Sequence, residues 1–295
     1  MILDFGYLCM TFQLNLSDSL AFPCHIQSKE MHTYAGGNAT NQAICAARSG
    51  AKVALIGTIG TDIFGKKILS TLRREGINTS GIAKSEIPTG IIHSIIDNKN
   101  QKAIISSAGA NQEISPDQIP TNMLNERALI LLQHDVSIDI NTEVLKRARA
   151  QKAQSILCLS HESNIDGSMF DNLDIAIIAE EILPYLCDKL SIPLENFSAS
   201  LAKKKNIHCI IAKNSGLSGA YATSKNSKHY EQGITDNTFS VNHTETFNSF
   251  CGTFTACIQA GLNLPRAMQY ATSAASLTSQ SDTFPYLGDI EENIT

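Results

Sequence analysis

Short apolar runs alternate with amphipathic stretches along most of this chain, and that alternation limits the fold more than any other feature. The runs 53–56, 128–132, 155–159, 175–178 and 209–212 are rich in Ile, Leu and Val and only a few residues long. Such runs suit strands covered on both faces. Between them, 41–48, 65–75, 140–150 and 194–204 carry helical spacing, and 254–260 and 265–280 also read as helices. Pro265 fits the first turn of the last of these, after the Leu262-Asn263-Leu264 break. The pattern predicts βαβ units and a mostly parallel sheet.

The length and the hydrophobic share, 295 residues and 43%, allow a large core. The formal charge of −5 and a single basic run, Lys203-Lys204-Lys205, give no support for a nucleic-acid partner. That run reads as a solvated helix end. No apolar run is long enough for a membrane span. The start, Met1-Ile2-Leu3-Asp4-Phe5, lacks a cationic residue and places an acid inside its apolar stretch. It reads as a first strand, not a secretion signal. The eight cysteines form no Cys-x-x-Cys pair and several lie inside apolar runs. Reduced, buried thiols and a cytoplasmic location are expected, and zinc spacing is absent.

Two local patterns stand out. Residues 91–106 form two apolar arms around Asp97-Asn98-Lys99-Asn100, a β-hairpin signal. Upstream, Gly36-Gly37-Asn38-Ala39-Thr40-Asn41-Gln42-Ala43 places two glycines before a helix. This permits close approach of a ligand, free helix N–H groups and an Asn41 amide for hydroxyls. A simple turn with an N-cap accounts for the same residues equally well. Residues 225–238 are polar and read as a loop or an edge hairpin.

With the run Val53-Ala-Leu-Ile-Gly57-Thr-Ile-Gly60-Thr-Asp62-Ile-Phe-Gly65 added, the chain closely resembles the N-terminal signature of the ribokinase-like (PfkB) carbohydrate kinases. The resemblance continues through Pro88-Thr89-Gly90, Ala108-Gly109-Ala110-Asn111 and Ile114-Ser115-Pro116. It spans nearly the whole chain in order and spacing, specific over 35–116 and loose beyond about 135. It implies one domain over 1–295, a three-layer αβα sandwich with a mostly parallel central sheet. It also implies a small β lid, from strands within about 7–35 and 87–107, closing over a sugar. ATP and magnesium would serve an active member, and a homodimer through the lid is implied by analogy.

The resemblance places sugar contacts on Gly36, Gly37 and Asn41, with Ala39 in place of a third family glycine. The family's first strand grips two hydroxyls with an aspartate; counted from Gly6, that place is Thr11, able to make one weaker contact. Asp4 and Asp18 are near but out of register. Gln133-His134-Asp135 falls where the family often has Gln-x-Glu, so Asp135 is a shorter site carboxylate, and His134 reads as structural. The family's Asn-Pro-Ala-Pro segment is replaced by Leu159-Ser160-His161-Glu162. Its magnesium-organising Asn-x-x-Glu falls on Ala179-Glu180-Glu181-Ile182 and keeps neither residue. Glu180 and Glu181 either attract a cation or are helix N-terminal charges. Gly216-Leu217-Ser218-Gly219 fits a Gly-x-x-Gly turn beside the nucleotide, and a plain hairpin explains it nearly as well.

Near the C-terminus the family carries Asp-Thr-x-Gly-Ala-Gly-Asp, a turn that opens a helix, cradles phosphate and supplies the catalytic base. By register with Thr253-Phe254-Thr255-Ala256, the base position is Gly252, family glycines fall on Ser249 and Cys251, and Phe250 crowds the phosphate. Gly252 accepts no proton, although a helix N-terminus there still offers donors to an anion or nucleotide. Glu245, His243 and Asp236 lie upstream as candidates for a shifted base. The joint loss at Thr11, Ala179, Ile182 and Gly252 predicts a homologue with lost or strongly reduced phosphotransferase activity that keeps a sugar or nucleoside site. The alternatives are an active ATP-dependent sugar or nucleoside kinase with a rearranged base, and a lid-mediated interaction or regulatory protein.

Overall fold

The computed structural model of the chain describes residues 1–20, 25–162, 165–213, 219–233, 243–281 and 283–294, with His243 by its backbone alone. The chain opens with β1 (Ile2–Phe5), buried on both faces, then β2 (Cys9–Leu16), β3 (Ser28–Gly36), α1 (Asn38–Arg48), β4 (Val53–Gly60), α2 (Ile63–Arg74), β5 (Asn78–Ser85), β6 (Gly90–Ile96) and β7 (Lys102–Ser107). Short 3-10 turns lead to β8 (Leu129–Gln133), α3 (Ile138–Ala150), β9 (Gln154–Leu159), β10 (Ile175–Ala179), α4 (Leu183–Leu190), α5 (Phe197–Lys205) and β11 (His208–Lys213). The described chain ends with β12 (Gly219–Thr223), β13 (His229–Gly233), α6 (His243–Gln259), α7 (Leu264–Gln280) and α8 (Leu287–Ile294).

The large sheet runs β13-β12-β11-β10-β9-β8-β1-β4-β5. Its pairs are parallel from β5 to β11, and β12 and β13 add an antiparallel edge hairpin. Side chains alternate across it. Ile2, Leu55, Leu129, Ile156 and Ile177 join Ala43, Phe254 and Ala271 on the face covered by α1, α6 and α7. Leu3, Ile56, Ile130, Leu157 and Ile178 join Val144, Leu186 and Leu201 on the face covered by α3, α4 and α5. The result is the three-layer αβα sandwich.

A second sheet has the order β3-β2-β6-β7. β6 and β7 are antiparallel, and the Asp97 carboxylate accepts from the N–H of Lys99 and Gln101 at 2.8 and 2.9 Å, which shapes their turn. Two side chains, of Asn111 and Asp62, fix this sheet to the body. Asn111 accepts from Leu8 N–H at 2.9 Å and donates to the carbonyls of Leu8 at 3.0 Å and Ala108 at 2.9 Å. Asp62 caps α2 through Gly65 N–H and also holds both the N–H and the hydroxyl of Thr89. These bonds depress the Asp62 carboxyl below the ordinary range, although burial opposes them.

Several elements differ from the sequence expectation. The stretch 194–204 is split into a 3-10 turn, Leu194–Asn196, and α5. β5, a half-exposed strand, and α4 and α8, only eight residues each, are not predicted from the sequence. Most consequential is α6. It was expected over 254–260, and it begins at His243. Thr, Asn, Ser and Gly are weak helix formers, but Phe247, Phe250 and Phe254 recur on one stripe and are buried. Tertiary packing of that stripe overrides propensity. Among the described residues no helix is long and apolar enough to cross a membrane.

Candidate functional site

A cavity of about 1010 Å³ lies between the small sheet and the carboxyl ends of the central strands. That end of a parallel sheet is the usual place for a ligand. The small sheet contributes Thr11, Tyr34, Ser94 and Lys102, the loops after β8 and β9 contribute Asp135 and His161, and α6 contributes Thr244, Glu245 and Phe247.

α1 opens onto this cavity. Gly37 stands at its N-cap with φ 92 and no side-chain cap. A Cβ there would come 2.7 Å from Tyr7 O, so the positive φ and the tight approach both demand glycine. Gly36 does not face the cavity; it lies against the Thr11 hydroxyl, where a Cβ would sit at 2.2 Å. Thr11, Gly37, Asn41 and Asp135 all line the cavity, so four of the five sugar-side residues expected from the sequence are brought together. Asp4 is fully buried beneath this region against Gln133, and Asp18 is exposed beside Ser17.

Asp135 is not left alone in the wall. Asn38 Nδ2 donates to both of its oxygens at 2.9 Å. The Tyr7 hydroxyl and the Cys9 thiol nearby are pushed up, mainly by burial and then by the Asp135 charge; Cys9 reaches about 12. His134 sits beneath, its Nδ1 3.2 Å from Cys158 O and its Nε2 2.9 Å from His161 O. Burial pulls its protonation below the usual imidazole range against the pull of Asp135. His134, Asp135 and His161 hold ligand atoms within 4.8 Å of one another. Both His134 nitrogens already face carbonyl oxygens, so the trio does not present three free donors to a metal. The structural reading of His134 therefore fits its surroundings.

The α6 residues expected to form a helix opening are not at one. Gly252 lies in the interior of α6, packed on α1: a Cβ would stand 2.4 Å from Gln42 O and 2.6 Å from Cys45 Cβ. Ser249 is buried and accepts from the Thr278 hydroxyl at 2.8 Å. Cys251 is buried, its thiol pushed far up by burial and then by Cys158. Phe250 is core, stacked on Phe254 at 6.1 Å, and does not crowd the cavity. None of these N–H groups is at a free helix end. The part of α6 that lines the cavity is Thr244, Glu245 and Phe247, about two turns before the position read from sequence. Just behind that lining Asn248 is fully buried, accepting from Gln42 at 2.8 Å and donating to Asn38 at 3.1 Å. Glu245 pairs with Lys102 at 3.3 Å and accepts from the Tyr34 hydroxyl at 3.5 Å.

On the remaining wall, Glu181 lines the cavity and Glu180 does not. Ala179 and Ile182 are buried hydrocarbon and offer a cation nothing. Gly219 opens β12 at the sheet edge, opposite Gly233. Gly216, Asp236 and the His243 side chain lie outside the described residues. Sequence reasoning missed Asn38, Asn248, Tyr34 and Lys102. The one available signal was a repeated Thr-Phe pair at 246–247 and 253–254, which makes the register ambiguous.

The comparisons with known proteins agree with this geometry. The family model described as "pfkB family carbohydrate kinase" matches residues 1–283. A ribokinase of Arabidopsis thaliana is 25% identical over 264 residues, 86% of this chain and 69% of that protein. The solved Arabidopsis ribokinase complexed with ribose and ATP superposes with a TM-score of 0.86 at 23% identity, over 100% of this chain and 98% of the other. A nucleoside kinase of Methanocaldococcus jannaschii superposes at 0.82 with 16% identity, over 99% and 97%. Family match, strand order and a cavity under a small second sheet all converge: this chain belongs to the pfkB family of carbohydrate kinases.

Proposed function

We propose that the cavity binds the hydroxyl groups of a sugar or nucleoside, and that phosphoryl transfer is lost or strongly reduced. One observation carries the reading. Gly252, the place read as the base, has no side chain to take a proton and lies inside α6 against α1, and Asn248, the polar residue one turn before it, is a buried amide outside the cavity lining. An amide takes no proton near neutral pH, and general-base help typically contributes about 10²–10⁴-fold. The hydrocarbon at Ala179 and Ile182 agrees, since a family-type magnesium site gains no ligand there. Thr11, Asn41 and Asp135 supply the hydroxyl-facing groups.

The test combines a thermal-shift titration with an ADP-release assay, using ATP–Mg²⁺ with D-ribose and with adenosine. A ligand that binds only the folded chain raises Tm. The expected result is a ligand-dependent rise with no turnover above background. Saturable turnover would end the reading. A second reading has one observation in its favour: Glu245 lies in the first turn of α6 and faces the cavity. It makes Glu245 a substitute base, and turnover abolished in Glu245→Gln would establish it.

A further inference from the structure

Six side chains that no motif singles out as a group form one continuous chain behind the cavity. Gln133 Nε2 donates to Asp4 at 2.7 Å and to Gln42 Oε1 at 3.1 Å. Gln42 Nε2 donates to Asn248 Oδ1 at 2.8 Å. Asn248 Nδ2 donates to Asn38 Oδ1 at 3.1 Å, and Asn38 Nδ2 donates to Asp135. The chain thus crosses β1, β8, α1 and α6 and ends on a carboxyl group at each side.

A primary amide has a donor end and an acceptor end. In a head-to-tail file of amides, the direction of one member sets the direction of all. Here every amide from Gln42 to Asn38 turns its donor toward Asp135. Gln133 is the node: both its N–H groups are spent, one each way. Two oxygens of this node lack partners, Asp4 Oδ2 and Gln133 Oε1, and both are buried. A neutral Asp4 turns one of those acceptors into a donor. An ionised one leaves a buried anion with a single bond, which is costly. Burial, only partly offset by the Gln133 bond, favours the neutral acid.

We propose that Asn38 and Asn248 are positioning residues, which hold Asp135 through this polarised file so that its remaining lone pairs meet a ligand donating two hydrogen bonds, such as adjacent hydroxyls. The proposal rests on the hydroxyl-binding reading above for its ligand, but not for the file itself. The geometry is specific about what breaks it. Asn248→Asp removes the N–H that faces Asn38 Oδ1. Asn38 then turns its donor to the new carboxylate and its carbonyl to Asp135, two acceptors face to face. A lysine at position 38 has three donors and serves both carboxylates.

The experiment uses the whole chain and D-ribose as the probe in titration calorimetry. Asn248→Asp is expected to bind at least tenfold more weakly than the parent, and the double variant Asn38→Lys with Asn248→Asp to regain most of the affinity. A merely structural role for Asn248 gives no such rescue. A second readout needs no ligand: side-chain carboxamide hydrogen exchange in ¹⁵N-labelled protein. The amides of Asn38 and Asn248 are expected to be protected in the parent, and Asn38 to lose protection in folded Asn248→Asp. Unprotected parent amides, or Asn248→Asp binding as tightly as the parent, overturn the proposal. Should the parent not bind D-ribose while the exchange pattern holds, the ligand class falls and the file stands.

Discussion

Two glycines in this molecule look alike in sequence and do opposite work. Gly37 opens α1 with a positive φ and keeps the helix end bare toward the cavity. Gly252 lies mid-helix in α6 and lets the backbone of α1 come within contact. The first makes room for a ligand, the second for a neighbouring helix. A glycine therefore reports closeness, not what comes close, and only its place relative to a helix end tells which.

The sharpest way to break that contrast is Gly252→Asp, which supplies the carboxylate that the register read from sequence asks for. It puts a carboxylate where a Cβ alone meets Gln42 O at 2.4 Å. A loss of about 4 kcal/mol or more is expected, from overpacking plus a buried charge. Urea denaturation checks it; a variant as stable as the parent would contradict the packing role. Gly37→Ala comes next. Positive φ and the 2.7 Å approach to Tyr7 O together cost ~2–3 kcal/mol, and ligand affinity falls as well. If stability drops but D-ribose affinity does not, the bare helix end is not part of the site.

The smallest effect is Asp4→Asn, which probes the buried support shared by the two helices. The Asp4 carboxyl is raised in the folded chain by burial. The folded state thus keeps a proton that the unfolded state releases, so stability is full below the unfolded value and falls as pH rises above it. Asn has no such penalty. Asp4→Asn is expected to gain ~1–2 kcal/mol at pH 7 and little near pH 4, read as the pH dependence of Tm. A loss of stability at neutral pH would show that the carboxylate is ionised and needed.

Much of the sandwich is legible in the sequence because buried parallel strands repeat one pattern. The 53–56, 155–159 and 175–178 runs each fell inside a central strand. β5 was not legible: Asn78–Ser85 is an edge strand, half exposed, without an apolar run. The sugar-side wall was legible because Gly37, Asn41 and Asp135 stand at element ends. The α6 wall was not. Phe247, Phe250 and Phe254 hold the helix through a segment whose Thr, Ser and Gly argue against one, and the Thr-Phe pair, doubled seven residues apart, allows a register about two turns too late. The amide file was invisible for another reason. Asn38, Gln42, Gln133 and Asn248 are scattered in sequence, and only folding sets them in line.

Asn111 has a consequence of its own. By clasping Leu8 on both its N–H and its carbonyl, it welds the crease where the first strand of the body passes into the small sheet. That sheet is thus a folded corner and not a flap hung on one thread. A protease or a pulling force will find the tip at 97–101 long before it can peel the corner from its root.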